Sequence, residues 1–178
     1  MGSRTARILA LTIAVVGLWT VASPAGATSD TPASSMAALE QGVLVQINIL
    51  RKQHGLAPLR LNTRLSAAAR QHSAEMANRG YFSHDSANGS SFDRRIARFY
   101  PMGNSRYWSV GENLLWSSPS VDPPGALNMW FNSPEHRKNM LNPRWREVGL
   151  SAVHATAAAG AYGGREVTIV TSDFGVRR

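Results

Sequence analysis

The sequence predicts an α+β domain, because helical periodicity dominates its first part and strand alternation dominates its tail. Apolar residues recur every three or four positions in the first half of the chain. Apolar and polar residues instead alternate from Glu147 to His154, and Val167, Ile169 and Thr171 alternate again. A small, glycine-rich stretch between these two runs predicts a turn. The tail is therefore expected to form an antiparallel hairpin that follows a set of helices.

The first helix is expected to be capped by Ser34 or Ser35, whose hydroxyl can accept a backbone N–H. Gly55 and Pro58 should end it. Its apolar residues are spaced by four, four and three positions, which places them on one helical face; they are Leu39, Val43, Ile47 and Leu50.

A second helix is expected between a cap at Asn62 and a terminal glycine at Gly80. Its apolar face holds Leu65, Ala69, His72 and Met76. His72 and Glu75 also have a His-x-x-Glu spacing that suits a metal. The favoured interpretation of His72 is a hydrogen-bonded core histidine, and a metal ligand is the alternative.

Shorter elements fill the middle of the chain. Ser90 or Ser91 is expected to cap a third helix through Ile96, and Tyr100 to Tyr107 should be a loop. Trp108 to Trp116 is predicted to be half extended and half turn. Two more helices are expected, one beginning at Pro123-Pro124 and a very short one with Ser133 as its cap and Pro134 at its first position.

The composition limits the kinds of domain, partner and ligand that the chain can have. With 178 residues the chain is long enough for one domain with a real core. Its net charge of +8 raises the question of nucleic acid. The basic residues are scattered and alternate with apolar ones, so solvated faces are favoured and nucleic-acid binding is not expected. The absence of cysteine excludes disulfides and thiolate ligands.

The N-terminus predicts export. Arg4 and Arg7 precede an apolar run from Ile8 to Ala22, and Ala25-Gly26-Ala27 has the small-x-small form of a cleavage site. Residues 1–27 are therefore predicted to be a secretory signal peptide, 28–35 a flexible leader, and 36–178 one domain. An uncleaved membrane anchor is the alternative, although the apolar run is short for a membrane span. The mature protein is expected outside the cell or on the cell wall.

Four ordered blocks carry a family resemblance. The first holds Asn48, Arg51, Gly55, Leu56, Pro58 and Leu59. The second is Phe82-Ser83-His84, the third is Gly111-Glu112-Asn113, and the fourth runs from Trp130 through Ser133-Pro134-Glu135-His136-Arg137 to Asn142-Pro143. In this order they resemble the CAP superfamily of cysteine-rich secretory and plant pathogenesis-related proteins, with its bacterial SCP-domain branch.

The resemblance implies a three-layer α-β-α sandwich with a central, mainly antiparallel sheet. It also implies a cleft with two histidines and acidic partners, which here correspond to His84, Glu112 and His136. Two neutral imidazoles and a carboxylate suit Zn²⁺ or a similar divalent ion, and they equally suit acid–base catalysis near neutral pH. We expect a metal site, with Zn²⁺ bound weakly, and no separate catalytic group.

The site departs from the animal and plant members at Ser133, where those proteins have a second glutamate. With three side-chain ligands at most, the metal should exchange easily. Glu135 neighbours His136, but adjacent helical residues point about 100° apart, so Glu135 is expected to face away from the cleft. A serine nucleophile at Ser83 or Ser133 is disfavoured, since no Gly-x-Ser-x-Gly motif occurs.

Three functions stay open at this point. The preferred one is a secreted, monomeric binding domain whose cleft takes a metal and a lipid, another small apolar ligand or a cell-surface ligand. The alternative is a metal-assisted extracellular hydrolase of peptide, cell-wall polymer or nucleic acid. The third is a structural surface protein whose polar cluster only ties loops together. Metal-dependent turnover would separate the hydrolase from the other two.

Overall fold

A computed structural model describes residues 32–178 of the chain. Its helices are α1 (Pro32–Gln53), α2 (Thr63–Arg79), α3 (Phe92–Phe99), α4 (Pro123–Phe131) and α5 (Pro134–Met140). Its strands are β1 (Arg60–Leu61), β2 (Trp108–Ser117), β3 (Glu147–Ala158) and β4 (Arg165–Arg177), and a 3₁₀ turn spans Gly160–Tyr162. The predicted signal peptide and the first part of the leader lie outside the described residues.

The four strands form one sheet in the order β1-β3-β4-β2. The last strand, β4, is central: it pairs antiparallel with β3 on one side and with β2 on the other. Among the strands of residues 32–178, the two-residue β1 alone runs parallel to its neighbour, β3. The predicted hairpin and the mainly antiparallel sheet are confirmed, and β2 is left at one edge.

Helices cover both faces of this sheet, as the three-layer prediction requires. On one face α1 and α4 bury a cluster that includes Val43, Ile47, Trp130, Val148 and Phe174. On the other face α2 and α3 pack against β3, β4 and β2, with Leu65 and Ile96 fully buried. Successive side chains of each strand point to opposite faces of the sheet and so enter these two cores in turn. The alternating pattern of the tail is therefore consistent with a sheet that has a core on each face.

Capping residues set the ends of α2 as predicted. Asn62 Oδ1 accepts from the backbone nitrogens of Arg64 at 2.9 Å and Leu65 at 3.2 Å. At the other end Gly80 is left-handed, with φ of 69°. The Gly80 carbonyl then accepts from Ala161 N at 2.8 Å, which ties the end of α2 to the turn between β3 and β4.

Two local predictions were wrong, and one short strand was missed. Helix α1 begins at Pro32, upstream of the predicted cap at Ser34 or Ser35, because proline suits the first turn of a helix. Strand β2 is extended over its whole length, since every residue from Trp108 to Ser117 has a partner in β4. Strand β1 was not predicted, because two residues are too few to show the alternation of apolar and polar residues that marks a strand.

Candidate functional site

The candidate site lies at the free edge of β2, where the two helical layers meet around the end of the sheet. The loop between α2 and α3 brings His84, β2 brings Glu112, and α5 brings His136. His84 contacts Glu112 directly, and it is close enough to His136 to perturb its titration. The structure thus gathers the three residues that the sequence predicted.

Glu112 is the buried centre of the group. Its side chain is fully shielded from solvent, and one carboxylate oxygen pairs with the guanidinium of Arg95 from α3. The other oxygen, Oε1, lies 2.8 Å from His84 Nδ1. Both oxygens are therefore engaged by side chains. A buried carboxylate is expensive unless it is paired, and Arg95, itself only 2% exposed, supplies the opposite charge.

Two contacts hold the loop that carries His84. His72 Nε2 lies 2.8 Å from the carbonyl oxygen of Ser83, and Arg95 Nη1 donates to the carbonyl of His84 itself at 2.9 Å. His72 is fully buried, as expected of a hydrogen-bonded core histidine, while Glu75 accepts from the hydroxyl of Tyr81 instead. The His84 side chain remains 50% exposed, and within residues 32–178 its Nε2 has no hydrogen-bond partner.

His136 stands in the first turn of α5, after Ser133 at the cap position and Pro134. Asn113 Nδ2 donates to the His136 carbonyl at 3.0 Å, which fixes α5 against β2. The imidazole is half-buried, and burial lowers the pKa of His136, with the neighbouring His84 lowering it further. His136 thus favours its neutral form, in which a ring nitrogen can accept a proton or bind a metal.

Asn139 completes the link between α5 and the strand. Its Nδ2 donates to the Glu112 carbonyl at 3.0 Å and to Asn113 Oδ1 at 2.9 Å. Arg51 of α1 fixes the other end of α5, since its Nη1 donates to the carbonyl of Met140 at 2.7 Å. The motif residues Arg51, Asn113 and Asn139 therefore serve to position the site.

A second buried carboxyl lies behind Glu112. Asp173 is its direct partner across the β2–β4 ladder and is fully buried. Neither oxygen of Asp173 receives a hydrogen bond from the described residues. Burial and the charge of Glu112 raise the pKa of Asp173 well above its usual range. A proton on Asp173 removes its repulsion with the Glu112 carboxylate.

Sequence reasoning missed Arg95 and Asp173 as members of this group. The arginine-rich run predicts a solvated basic face for Arg95, yet this residue is buried in α3. A signal for Asp173 was present in the tail, because an acid stands next to Phe174 in the middle of a strand that carries buried apolar residues on both sides of it. A charged residue at such a position indicates a buried partner.

One side of the cleft is apolar. A cavity of about 260 Å³ opens beside His136, and its lining is mostly aromatic and aliphatic: Phe82, Leu114, Leu115, Trp116, Met129, Trp130, Ser133 and His136. Trp130 Nε1 donates to the Leu114 carbonyl at 3.0 Å, so the indole satisfies part of the strand edge from inside the cleft. Glu135 is exposed, in keeping with its expected direction.

Within residues 32–178 no three His, Asp or Glu side chains are arranged as a ready metal site. His84 and His136 are neighbours, and Glu112 lies behind His84. The hydroxyl of Ser83 accepts from Asp85 N at 3.2 Å, and no histidine contacts it within the described chain. The geometry therefore offers two imidazoles and an orienting carboxylate.

Comparison with protein families gives a match to the cysteine-rich secretory protein family, CAP, over residues 44–174. The uncharacterized protein YkwD of Bacillus subtilis is 35% identical over 129 residues, which is 72% of this chain and 48% of that protein. The uncharacterized membrane protein YlbC of the same organism is 33% identical over 62% of this chain and 30% of its own length. The aligned region thus spans under half of either relative.

Solved structures share the fold. An extracellular SCP-domain protein of Bacillus anthracis has a TM-score of 0.63 and 28% identity, over 83% of this chain and 44% of that one. An outer surface protein of Borrelia burgdorferi has a TM-score of 0.62 at 20% identity, over 78% of this chain and 92% of that one. None of the helices in residues 32–178 has the length and hydropathy of a membrane span.

Proposed function

Because this chain belongs to the cysteine-rich secretory protein (CAP) family, we propose that it is a secreted binding domain whose cleft holds a divalent metal ion. His84 and His136 are the proposed ligands. The observation that best supports this proposal is the 2.8 Å contact between His84 Nδ1 and Glu112 Oε1. A histidine that binds a metal through one ring nitrogen usually donates a hydrogen bond from the other ring nitrogen, often to a carboxylate. That hydrogen bond fixes the orientation and the tautomer of the ring.

The state of His136 supports the same proposal. A metal binds the neutral imidazole, and the burial that lowers the pKa of His136 keeps it neutral further into the acid range. Imidazole nitrogens suit Zn²⁺ better than Ca²⁺ or Mg²⁺, which prefer oxygen. The resident ion is therefore proposed to be zinc, which would supply Lewis acidity at the cleft.

Glu112 enters this proposal as the residue that orients His84. Its two oxygens already contact Arg95 and His84, so direct ligation would require it to leave one of them. With two imidazole ligands, the remaining coordination positions fall to water or to a bound ligand. Such a site is expected to bind zinc weakly and to exchange it readily.

The apolar wall supports a ligand that has an apolar part. Phe82 and Met129 line the cavity beside His136 and are 38% and 43% exposed. Large hydrophobic side chains left accessible beside convergent polar groups are the usual composition of a small-molecule site. A lipid or another small apolar molecule with a polar end, or a cell-surface component of that kind, would meet both parts of the cleft.

Isothermal titration of the purified protein with Zn²⁺ tests the proposal. The parent should bind zinc at pH 7.5, and binding should weaken below about pH 6.5, where protons compete for the imidazoles. The double variant His84→Ala, His136→Ala should lose this heat, whereas His54→Ala, a change of an exposed histidine at the end of α1, should keep it. Equal heats from the parent and the double variant refute the metal site.

A hydrolase is the second candidate, and the Glu112–His84 pair favours it. A carboxylate that holds one imidazole nitrogen leaves the other to take a proton from water, as in many general-base sites. Labelled peptide, cell-wall polymer and nucleic acid, each assayed with and without zinc, would reveal this activity. Turnover that disappears in His84→Ala would establish it, and zinc binding without turnover of any polymer would favour the binding domain.

A further inference from the structure

The fold gathers arginines that are scattered in the sequence at one end of the sheet. At this end β1, β3 and β2 begin and β4 finishes. Arg60 N donates to the Arg146 carbonyl at 3.0 Å. Tyr107 N donates to the Arg178 carbonyl at 2.8 Å, which brings the start of β2 beside the end of the chain. We call this surface the arginine end, and its members are Arg60, Arg106, Arg144, Arg146, Arg177 and Arg178.

The arginines form a row that follows the order of the strands. Arg60 belongs to β1, Arg146 precedes β3, Arg177 ends β4, and Arg106 stands two residues before β2. Neighbouring strands lie about 4.8 Å apart, so four strand ends spread these cations over about 15 Å. The side chains of Arg60, Arg106 and Arg146 are exposed. Such a row can meet a flat surface with several guanidinium groups at once.

The positive charge of this row is not neutralised within the described chain. None of the six arginines forms an ion pair inside residues 32–178. Glu147, the acid at the start of β3, already accepts hydrogen bonds from the Tyr100 hydroxyl and Asn62 Nδ2. Burial lowers the pKa of Arg51, and the charge of Arg146 lowers it further. The arginine end therefore has a concentrated charge that is available to an anionic partner.

Exposed apolar side chains flank the row. Leu61 follows Arg60 and is 52% exposed, and Met102, in the loop before β2, is 45% exposed. Arg177 Nη1 donates to the Pro101 carbonyl at 3.2 Å, which holds this loop beside the end of β4. Cations interspersed with exposed apolar groups suit the surface of an anionic bilayer, where charge meets the headgroups and apolar groups reach the acyl boundary.

The aromatic rings at this end are less suited to nucleic acid. The Arg177 guanidinium lies over the ring of Tyr100, 3.9 Å from its centroid, and that of Arg178 lies over Tyr107 at 5.4 Å. Single-stranded nucleic acid is held largely by bases that stack on accessible rings. Because arginine covers both of these rings, the surface offers contacts to phosphate groups rather than to bases.

We propose that the arginine end docks the protein on a bilayer that contains anionic phospholipid. The arginines would contact the lipid phosphates, and Leu61 and Met102 would lie at the acyl boundary. This surface is separate from the histidine cleft, since Glu112 lies four residues along β2 from Trp108, a distance of about 14 Å. The proposal is therefore independent of the metal site.

Co-sedimentation with vesicles tests the proposal. The exported protein, purified from the culture medium, is mixed with vesicles of phosphatidylcholine and phosphatidylglycerol in equal parts. Vesicles of phosphatidylcholine alone are the matched control. We expect binding to the first and none to the second. Binding should fall as salt is added, because ions screen the attraction between the arginines and the headgroups.

Two pairs of substitutions locate the surface. Arg60→Gln with Arg106→Gln should weaken binding about 25-fold, since each cation at an anionic surface contributes about fivefold. Arg79→Gln with Arg165→Gln removes the same charge at the opposite end of the sheet, where β4 begins, and should leave binding unchanged. Each single variant of the first pair should lose about fivefold, which preserves the test if the double variant folds poorly.

Met102→Gln separates a bilayer from a soluble phosphate polymer. It should weaken vesicle binding severalfold, because an apolar contact is lost, and leave the binding of inorganic polyphosphate unchanged. His84→Ala with His136→Ala should bind vesicles as the parent does, so this test and that of the metal site can fail separately.

Three results would overturn the proposal. One is equal binding to anionic and neutral vesicles. Another is an equal loss of binding in the two double arginine variants. The third is a Met102→Gln protein that binds vesicles like the parent while polyphosphate displaces both from them, which would make the partner a soluble phosphate polymer.

Discussion

Glu112 and Asp173 are direct neighbours across the β2–β4 ladder, and both carboxyls are buried. Arg95 supplies one positive charge between them, because it pairs with Glu112 and its charge also favours the ionised form of Asp173. One cation cannot balance two buried anions, so the pair retains a proton. Burial and Glu112 raise the pKa of Asp173, which assigns that proton to Asp173.

This proton gives stability a dependence on pH that Asp173→Asn should remove. The folded protein holds the proton above pH 3.9, the unfolded aspartate value, so the stability that Asp173 contributes falls as pH rises from there through its raised pKa. Each pH unit in that interval costs the parent about 1.4 kcal/mol. Asn is neutral at every pH, so the stability of the variant relative to the parent, measured by urea unfolding, should increase between pH 4.5 and 7.5.

The matched control for that measurement is Asp85→Asn, which changes an exposed aspartate in the loop beside His84. Its difference from the parent should stay constant over the same pH range. A parent whose stability rises from pH 4.5 to 7.5 as steeply as that of Asp173→Asn would show that Asp173 is ionised in the folded state.

Glu112→Gln and Glu135→Gln should differ sharply although each removes one negative charge. The first removes the carboxylate that pairs with buried Arg95, a loss that costs about 3–5 kcal/mol, and it leaves His84 a neutral and weaker hydrogen-bond acceptor. Its zinc affinity should fall clearly. Glu135 is exposed in the first turn of α5, so its replacement should cost only about 0.3–1 kcal/mol of helix-dipole stabilisation and leave zinc affinity unchanged.

Chemical denaturation and zinc calorimetry, both at a temperature where circular dichroism shows each variant folded, would compare the two. A larger loss of affinity in Glu135→Gln than in Glu112→Gln would mean that Glu135 turns into the cleft and binds the ion.

Removal of 165–178 should abolish cooperative unfolding. That segment contains β4, which pairs with both β2 and β3 and buries Val170, Phe174 and Val176 in the core. Without it the two remaining long strands lose the strand that joins them. A thermal melt followed by circular dichroism should show a broad change without a sharp transition. A truncated protein that melts like the parent would contradict the central position of β4.

Export should cleave the chain after Ala27, so that the mature protein begins at Thr28. The small residues at 25–27 follow the apolar run in the way that signal peptidase sites do. The intact mass of protein from the culture medium measures the new terminus. A cell-bound form that retains residues 1–27 would instead indicate a membrane anchor.

The sequence predicted most of the fold because its local signals agreed with the final packing. Asn62 and Gly80 mark the ends of α2 through backbone chemistry that needs no tertiary contact. The alternation of the tail predicted β3 and β4 for the same reason. Strand β2 was only half predicted, since Gly111, Glu112 and Asn113 have weak strand preference and are extended because β4 pairs with each of them.

The site was predicted through its motifs, and the supporting residues were not. His84, Glu112 and His136 stand in recognisable blocks, whereas Arg95 lies in a run of arginines that is typical of a surface helix. Its burial depends on how α3 packs over β2, a contact between distant parts of the chain. The hydrogen bond from the backbone nitrogen of Ala152 to Glu40 Oε1 could not be predicted either, because it joins residues 112 positions apart.

The central place of β4 has a consequence for how the protein is made. The chain emerges from the ribosome N-terminus first, so β4 is the last element of the described chain to emerge. Until then β2 and β3 cannot be joined, since each depends on β4 for its long ladder. The growing chain can form helices, but it cannot complete the long ladders of the sheet until synthesis has passed Arg177. Late closure of the sheet thus suits the proposed export, because a chain without its sheet is not yet a compact fold when the signal peptide emerges.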